Sequence, residues 1–103
     1  MKILWSLLAH ASYEDIRATI YEHFGNKAAL DYTVAVDDAV KLVAEFPNVG
    51  KQELELDPNG SVRSFSVRKL TKLIYFVEDD VLYIADVWAT RQDPNILASR
   101  FEK

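Results

Sequence analysis

Apolar residues recur at spacings of three and four through the first half of the chain, and from Gln52 onward the pattern changes to alternation. The first period belongs to a helix with one buried face, the second to strands with one buried side. Ile3-Leu4-Trp5 reads as a short opening strand. Ser6 is the N-cap of a following helix, on which Ala9, Tyr13, Ile16, Ile20 and Phe24 share one face. Ser12-Tyr13-Glu14-Asp15 is a competing capping box, but the unbroken periodicity from Ala9 favours one helix. Gly25-Asn26 ends it, since glycine supplies the left-handed backbone of a helix C-terminus.

A second helix, capped by Asn26, runs from Lys27 to about Phe46. Ala29, Tyr32 or Thr33, Val36, Val40 and Val43 form its buried stripe, and Asp31, Asp37, Asp38 and Lys41 its polar side. Pro47-Asn48-Val49-Gly50 stops it. The connection at Gly25-Asn26 is short enough to join only antiparallel neighbours, so the helices form a hairpin. Gln52 to Leu56 alternates as an edge strand should, and Asp57-Pro58-Asn59-Gly60 is a turn. Strands follow over Val62–Val67, Lys72–Glu78 and Val81–Thr90, with a tight reversal at Asp79-Asp80. Such short links demand an antiparallel meander, because parallel pairing needs a long crossover. In the tail, Asn95 to Lys103, the residues Ile96, Leu97 and Phe101 suit a last helical turn. The order β-α-α-β-β-β-β predicts an α+β fold: an antiparallel sheet with a helical hairpin packed on one face.

The 103 residues suit one domain, 1–103, and half of them are apolar, enough for one core. There is no cysteine, which removes disulfides and thiolate metal sites. The apolar run Ile3 to Ala9 is too short to cross a membrane and lacks the form of a signal peptide, so the expectation is an intracellular, cytoplasmic protein. No metal or organic cofactor is expected: His10 and His23 are thirteen residues apart with no HExxH pattern.

Charge is unevenly spread. Up to Gly60 five cations face ten anions; from Ser61 on, seven cations face six anions. No acidic residue interrupts Ser61 to Lys72, which holds Arg63, Arg68, Lys69 and Lys72, and Arg91 leaves the last strand just before Pro94. In a chain of net charge −4, such a sheet suggests a local phosphate- or carboxylate-binding face, while general nucleic-acid binding is disfavoured. Taken alone, the same cations also fit the solvated side of alternating strands, with Glu53 and Glu55 as cross-sheet partners. Asp79-Asp80 is a hairpin turn and not an acid pair. Trp5 and Trp88 pack in or beside the core, Trp88 also being placed to edge the cationic face.

Several pieces, in order along nearly the whole chain, resemble the RelE/ParE superfamily of toxins, also known as plasmid-stabilisation proteins. They are Ile3-Leu4-Trp5-Ser6, Gly25-Asn26-Lys27-Ala28-Ala29, Phe46-Pro47-Asn48-Val49-Gly50, Gly60-Ser61-Val62-Arg63, the hairpin from Ile74 to Ile84, and Arg91-Gln92-Asp93-Pro94. The resemblance implies the toxin half of a bacterial type II toxin–antitoxin pair, neutralised by a cognate antitoxin protein. One branch of the superfamily blocks DNA gyrase; another cleaves mRNA on the ribosome.

For the RNA-cleaving branch the resemblance makes Arg63, Arg68 and Arg91 catalytic candidates, since a guanidinium fork holds phosphate oxygens and the charge of a transition state. That branch often adds a tyrosine or histidine near the C-terminus, where this tail has Phe101. The gyrase-blocking branch needs no such group, and the sequence leans towards it or towards an unassigned target. A non-toxic binding module on the same fold is the third alternative, so whether the chain is an enzyme stays open. For any target, the expected contacts are Arg63, Arg68, Lys69 and Arg91. The antitoxin is expected to pair with an edge strand at Gln52–Leu56 or Ile3–Trp5 and to bring carboxylates to Arg63 and Arg91.

Overall fold

A computed structural model describes residues 1–89. Strand β1, Lys2–Trp5, leads into helix α1, Leu7–Phe24, and helix α2, Asn26–Glu45. A 3₁₀ turn, Pro47–Val49, precedes β2, Lys51–Gln52; then come β3, Arg63–Val67, β4, Thr71–Glu78, and β5, Val81–Ala89. The sheet order is β1-β5-β4-β3-β2. The α+β reading holds, with one refinement: β1 lies parallel to β5 while the other pairings are antiparallel. The chain returns to β5 only after the helical hairpin and β2 to β4, a connection long enough for a parallel pair.

Ser6 caps α1 as expected. Its hydroxyl accepts a hydrogen bond from the Ala9 amide at 2.9 Å and donates to the Ala85 carbonyl at 2.8 Å, so it also ties the helix start to β5. The helix starts at Leu7, which sets aside the capping box at Ser12. Gly25 ends α1 and, at φ +93°, also begins α2. Asn26 is therefore not the cap of α2; it is the first helical residue, and no side chain caps that end. A single glycine in an extended positive-φ conformation turns the chain sharply enough to make a separate cap unnecessary.

Ala9, Ile16 and Ile20 of α1 and Ala29, Tyr32, Val36, Val40 and Val43 of α2 are buried, against Leu73, Tyr75, Leu82, Ile84 and Val87 of the sheet. Tyr32, and not Thr33, fills the core position; its hydroxyl lies 3.0 Å from that of Thr71. Phe24, the last residue of α1, leaves the expected stripe and is exposed. Trp5 packs edge-on against Tyr13 at 5.7 Å, whereas Trp88 is exposed and donates to Asp86 at 2.7 Å.

The expected edge strand Gln52–Leu56 is the main correction. Only Lys51 and Gln52 pair with β3, and from Glu53 the chain coils: the amides of Leu56 and Asp57 both bond to the Glu53 carbonyl. Leu54 and Leu56 alternate with acids but are exposed, and no described residue buries them. Alternation predicts a strand only where one side has something to cover. The tail reading, Asn95 to Lys103, lies outside the described residues.

Candidate functional site

Arg63 opens β3 and sits directly across from Tyr75 of β4. Cross-strand partners share a side of the sheet, and alternation puts Arg63 with Phe65 and Val67 on the helix-facing side. There its Nη1 donates to the Gly50 carbonyl at 2.7 Å and to the Asn48 carbonyl at 3.3 Å. The Tyr75 hydroxyl knits the same corner. It donates to the Pro47 carbonyl at 2.7 Å and accepts from the Gly50 amide at 2.9 Å. Burial raises the Tyr75 pKa above its ordinary value, opposed by the Gly50 hydrogen bond and the Arg63 charge. The hydroxyl is thus held neutral and engaged at both ends, which unfits it for proton transfer.

A guanidinium has five N–H donors. Nε and Nη2 of Arg63 have no hydrogen-bond partner among the described residues. They are available to an anion at a recess of about 220 Å³ lined by Asn48, Gly60, Ser61, Arg63 and Tyr75. The arrangement is a cation pinned by one nitrogen and open at the others.

The other candidates lie elsewhere. Arg68 and Lys69 form the turn between β3 and β4, at φ +56° and +60°, and both are exposed. They stand at the opposite end of β3 from Arg63, a strand length of roughly 16 Å away. Neither has an ion-pair partner among the described residues. Arg68 instead flanks an apolar recess of about 280 Å³ with Phe24, Asp31 and Tyr32. Lys72 points to the other side of the sheet, 3.8 Å from Glu53, which also accepts from the Ser64 hydroxyl at 2.5 Å. Arg91 lies outside the described residues. The structure therefore separates Arg63 from Arg68 and Lys69, and pairs Lys72 as the solvated-strand reading has it.

Two features had no local sequence signal. Tyr75 and Gly50 hold the Arg63 corner, through contacts spanning 25 residues. A groove of about 520 Å³ opens between the helices and β1, lined by Trp5, His10, Tyr13, Val36, Asp37 and Val40. His10 and His23 are exposed, and no cluster of three metal-ligating side chains occurs among the described residues. No described helix is long and apolar enough to cross a membrane.

The family model for the ParE toxin of the type II toxin–antitoxin system parDE matches residues 3–94. The chain belongs to the ParE toxin family. No curated protein sequence matches this ParE-family chain. Among solved structures it is similar to a chain of the chromosomal ParDE toxin–antitoxin system from P. aeruginosa, with a TM-score of 0.74 and 20% identity. The match covers 88% of this chain and 97% of that one. At that identity the likeness speaks for the fold, and it includes the helical hairpin on a mostly antiparallel sheet found in this ParE-family member.

Proposed function

We propose that this ParE-family chain is a growth-arresting toxin that acts by binding DNA gyrase, without cleaving RNA, and is silenced by a separate antitoxin protein. The observation that carries the reading is the Arg63 corner within a family match spanning residues 3–94. Its guanidinium is oriented by backbone carbonyls and keeps free donors for an acidic surface. Its neighbour Tyr75 is locked in two hydrogen bonds and is raised in pKa, so this corner suits binding better than acid–base chemistry. Arg68, Lys69 and Arg91 are further target contacts, and the groove beside Trp5 and Tyr13 suits an apolar antitoxin segment.

Inducible expression tests this with two readouts. The expected result is growth arrest with transcripts intact and gyrase supercoiling inhibited, both relieved by Arg63→Ala while the protein still melts cooperatively. Cleaved transcripts in a translating extract would instead assign the chain to ribosome-dependent RNA cleavage. Expression without arrest would make it a binding module. For the antitoxin, Arg63→Glu should weaken the complex most at low salt; an affinity unchanged across salt concentrations overturns the electrostatic part.

A further inference from the structure

The outer edge of β1 is uncovered among the described residues, since β1 ends the sheet order. The amide of Ser6 bonds to the Ile84 carbonyl at 3.0 Å, and Trp5 is in register with Ile84. In a parallel ladder alternate residues turn their main chain to the neighbour, so Leu4 and Ser6 face β5 while Ile3 and Trp5 turn N–H and C=O outward. Edges of this kind are normally blunted by charge, proline or a bulge. Here the strand carries one charge, Lys2, and no proline. It is instead flanked by bare apolar surface: Leu7 is 92% exposed, Leu8 60%, Leu4 41% and Ile3 37%.

We infer that this edge pairs with the same edge of a second copy, forming a twofold dimer with one continuous ten-stranded sheet. The strand matches itself in a single register. Antiparallel pairing centred on Leu4 places the outward groups of Ile3 opposite those of Trp5 in the second copy, and the reverse, giving two fully hydrogen-bonded pairs. Leu4 then meets Leu4 of the second copy across the axis, where side chains approach most closely. Lys2 falls opposite Ser6, so the like charges are kept apart. The axis stands perpendicular to the sheet and leaves both helical hairpins on one side.

The chemistry favours a second copy over a charged partner. From Lys2 to Ala9 there is no acidic residue, and Lys2 is the only cation. A hetero-partner chosen by charge would find little to read, whereas an apolar strip finds its match in itself. The exposed parts of Ile3, Leu4, Leu7 and Leu8 amount to several hundred Å² per copy. With the strand backbone, two copies reach the region of ~1,000 Å² in total at which a specific interface begins.

The chain lacks cysteine, so one introduced thiol reports the register. Under mild oxidation Leu4→Cys should give a disulfide-linked dimer, because only residue 4 faces its own counterpart. Lys2→Cys should not, since the two thiols would lie roughly 14 Å apart along the strands. In analytical ultracentrifugation of the full chain, the dimer dissociation constant should rise at least tenfold for Leu4→Lys, with an unchanged circular dichroism spectrum. Leu7→Glu, on the surface of α1, should weaken association in the same direction without touching the core. A monomer at about 100 µM overturns the inference. So does equal cross-linking by both cysteines. Protection of the Ile3 and Trp5 amides from exchange only after an antitoxin is added would give the edge to that partner and likewise sink the dimer.

Discussion

The hydroxyl of Tyr75 stands 2.9 Å from the amide nitrogen of Gly50, in the space a side chain on Gly50 would need. A Cβ there would come within 2.4 Å of that hydroxyl and 2.7 Å of the Ser64 carbonyl. The glycine is required by this close approach and not by its backbone, whose φ of −75° any residue adopts. The turn after α2 can thus press against β3 and β4, and Arg63 gains its two carbonyl anchors.

Gly50→Ala should therefore destabilise the fold by about 1–3 kcal/mol, through displacement of Tyr75 and of the β3 backbone. Tyr75→Phe should cost about 1–3 kcal/mol, because it strands the buried Gly50 amide and the Pro47 carbonyl. In urea titrations the double variant should cost less than the sum, since both changes open the same corner. Strict additivity would mean that the two groups do not act together.

A second expectation concerns high pH. Burial pushes the Tyr32 hydroxyl to about 12 from its ordinary 10, opposed by its hydrogen bond with Thr71. An acidic group whose pKa rises on folding is one the fold holds neutral. Its contribution is complete below pH 10 and is lost as the pH climbs towards 12, while the unfolded chain ionises first. Stability should fall by on the order of 2–3 kcal/mol across that window. Denaturant midpoints of Tyr32→Phe should show a shallower decline between the same limits. Tyr75, also raised by burial, contributes in the same direction.

The two tight hairpins offer a third test. Arg68, Lys69, Asp79 and Asp80 all have positive φ, between +53° and +62°, in turns where Asn-Gly is the favoured pair. Replacing Asp79-Asp80 by Asn-Gly should stabilise the protein by about 1 kcal/mol and leave growth arrest intact. Replacing Arg68-Lys69 by Asn-Gly should stabilise it similarly. If those cations touch the target, growth arrest should weaken despite the gain. Equal activity in both variants would remove Arg68 and Lys69 from the target surface.

Ser6→Ala should cost about 1–2 kcal/mol in thermal or denaturant unfolding, because one hydroxyl both caps α1 and bonds to Ala85 of β5. Ser6→Thr retains both functions and should recover most of the loss. A cost of only a few tenths in Ser6→Ala would show that water replaces these bonds without penalty.

Much of this architecture is written locally. The 3.6-residue stripes of α1 and α2, the serine cap, the glycine joint and the acidic hairpin tip can each be read within a few residues, because each is a short-range backbone preference. Local reading failed where the outcome depended on a distant neighbour. Gln52–Leu56 has the alternation of a strand, yet only Lys51 and Gln52 pair, since no surface among the described residues lies where Leu54 and Leu56 could cover it. Asn26 has the chemistry of a cap, yet Gly25 takes that place. Arg63, Arg68 and Lys69 look like one cluster in sequence, but a five-residue strand holds them at its two ends.

The sequence by itself determined the two helices and their hairpin, the opening strand, the three strands that end the described chain and the family resemblance, since these follow from periodicity, capping and ordered motifs along one chain. Only the tertiary structure decided which side of the sheet Arg63 and Lys72 occupy, that Arg63 is anchored by Asn48 and Gly50, and that β1 joins β5 in parallel and ends the sheet among the described residues. The physical reason is range. Periodicity is set by neighbours three or four positions away, whereas a guanidinium's direction and a strand's partner are set by residues that meet only when the chain has folded.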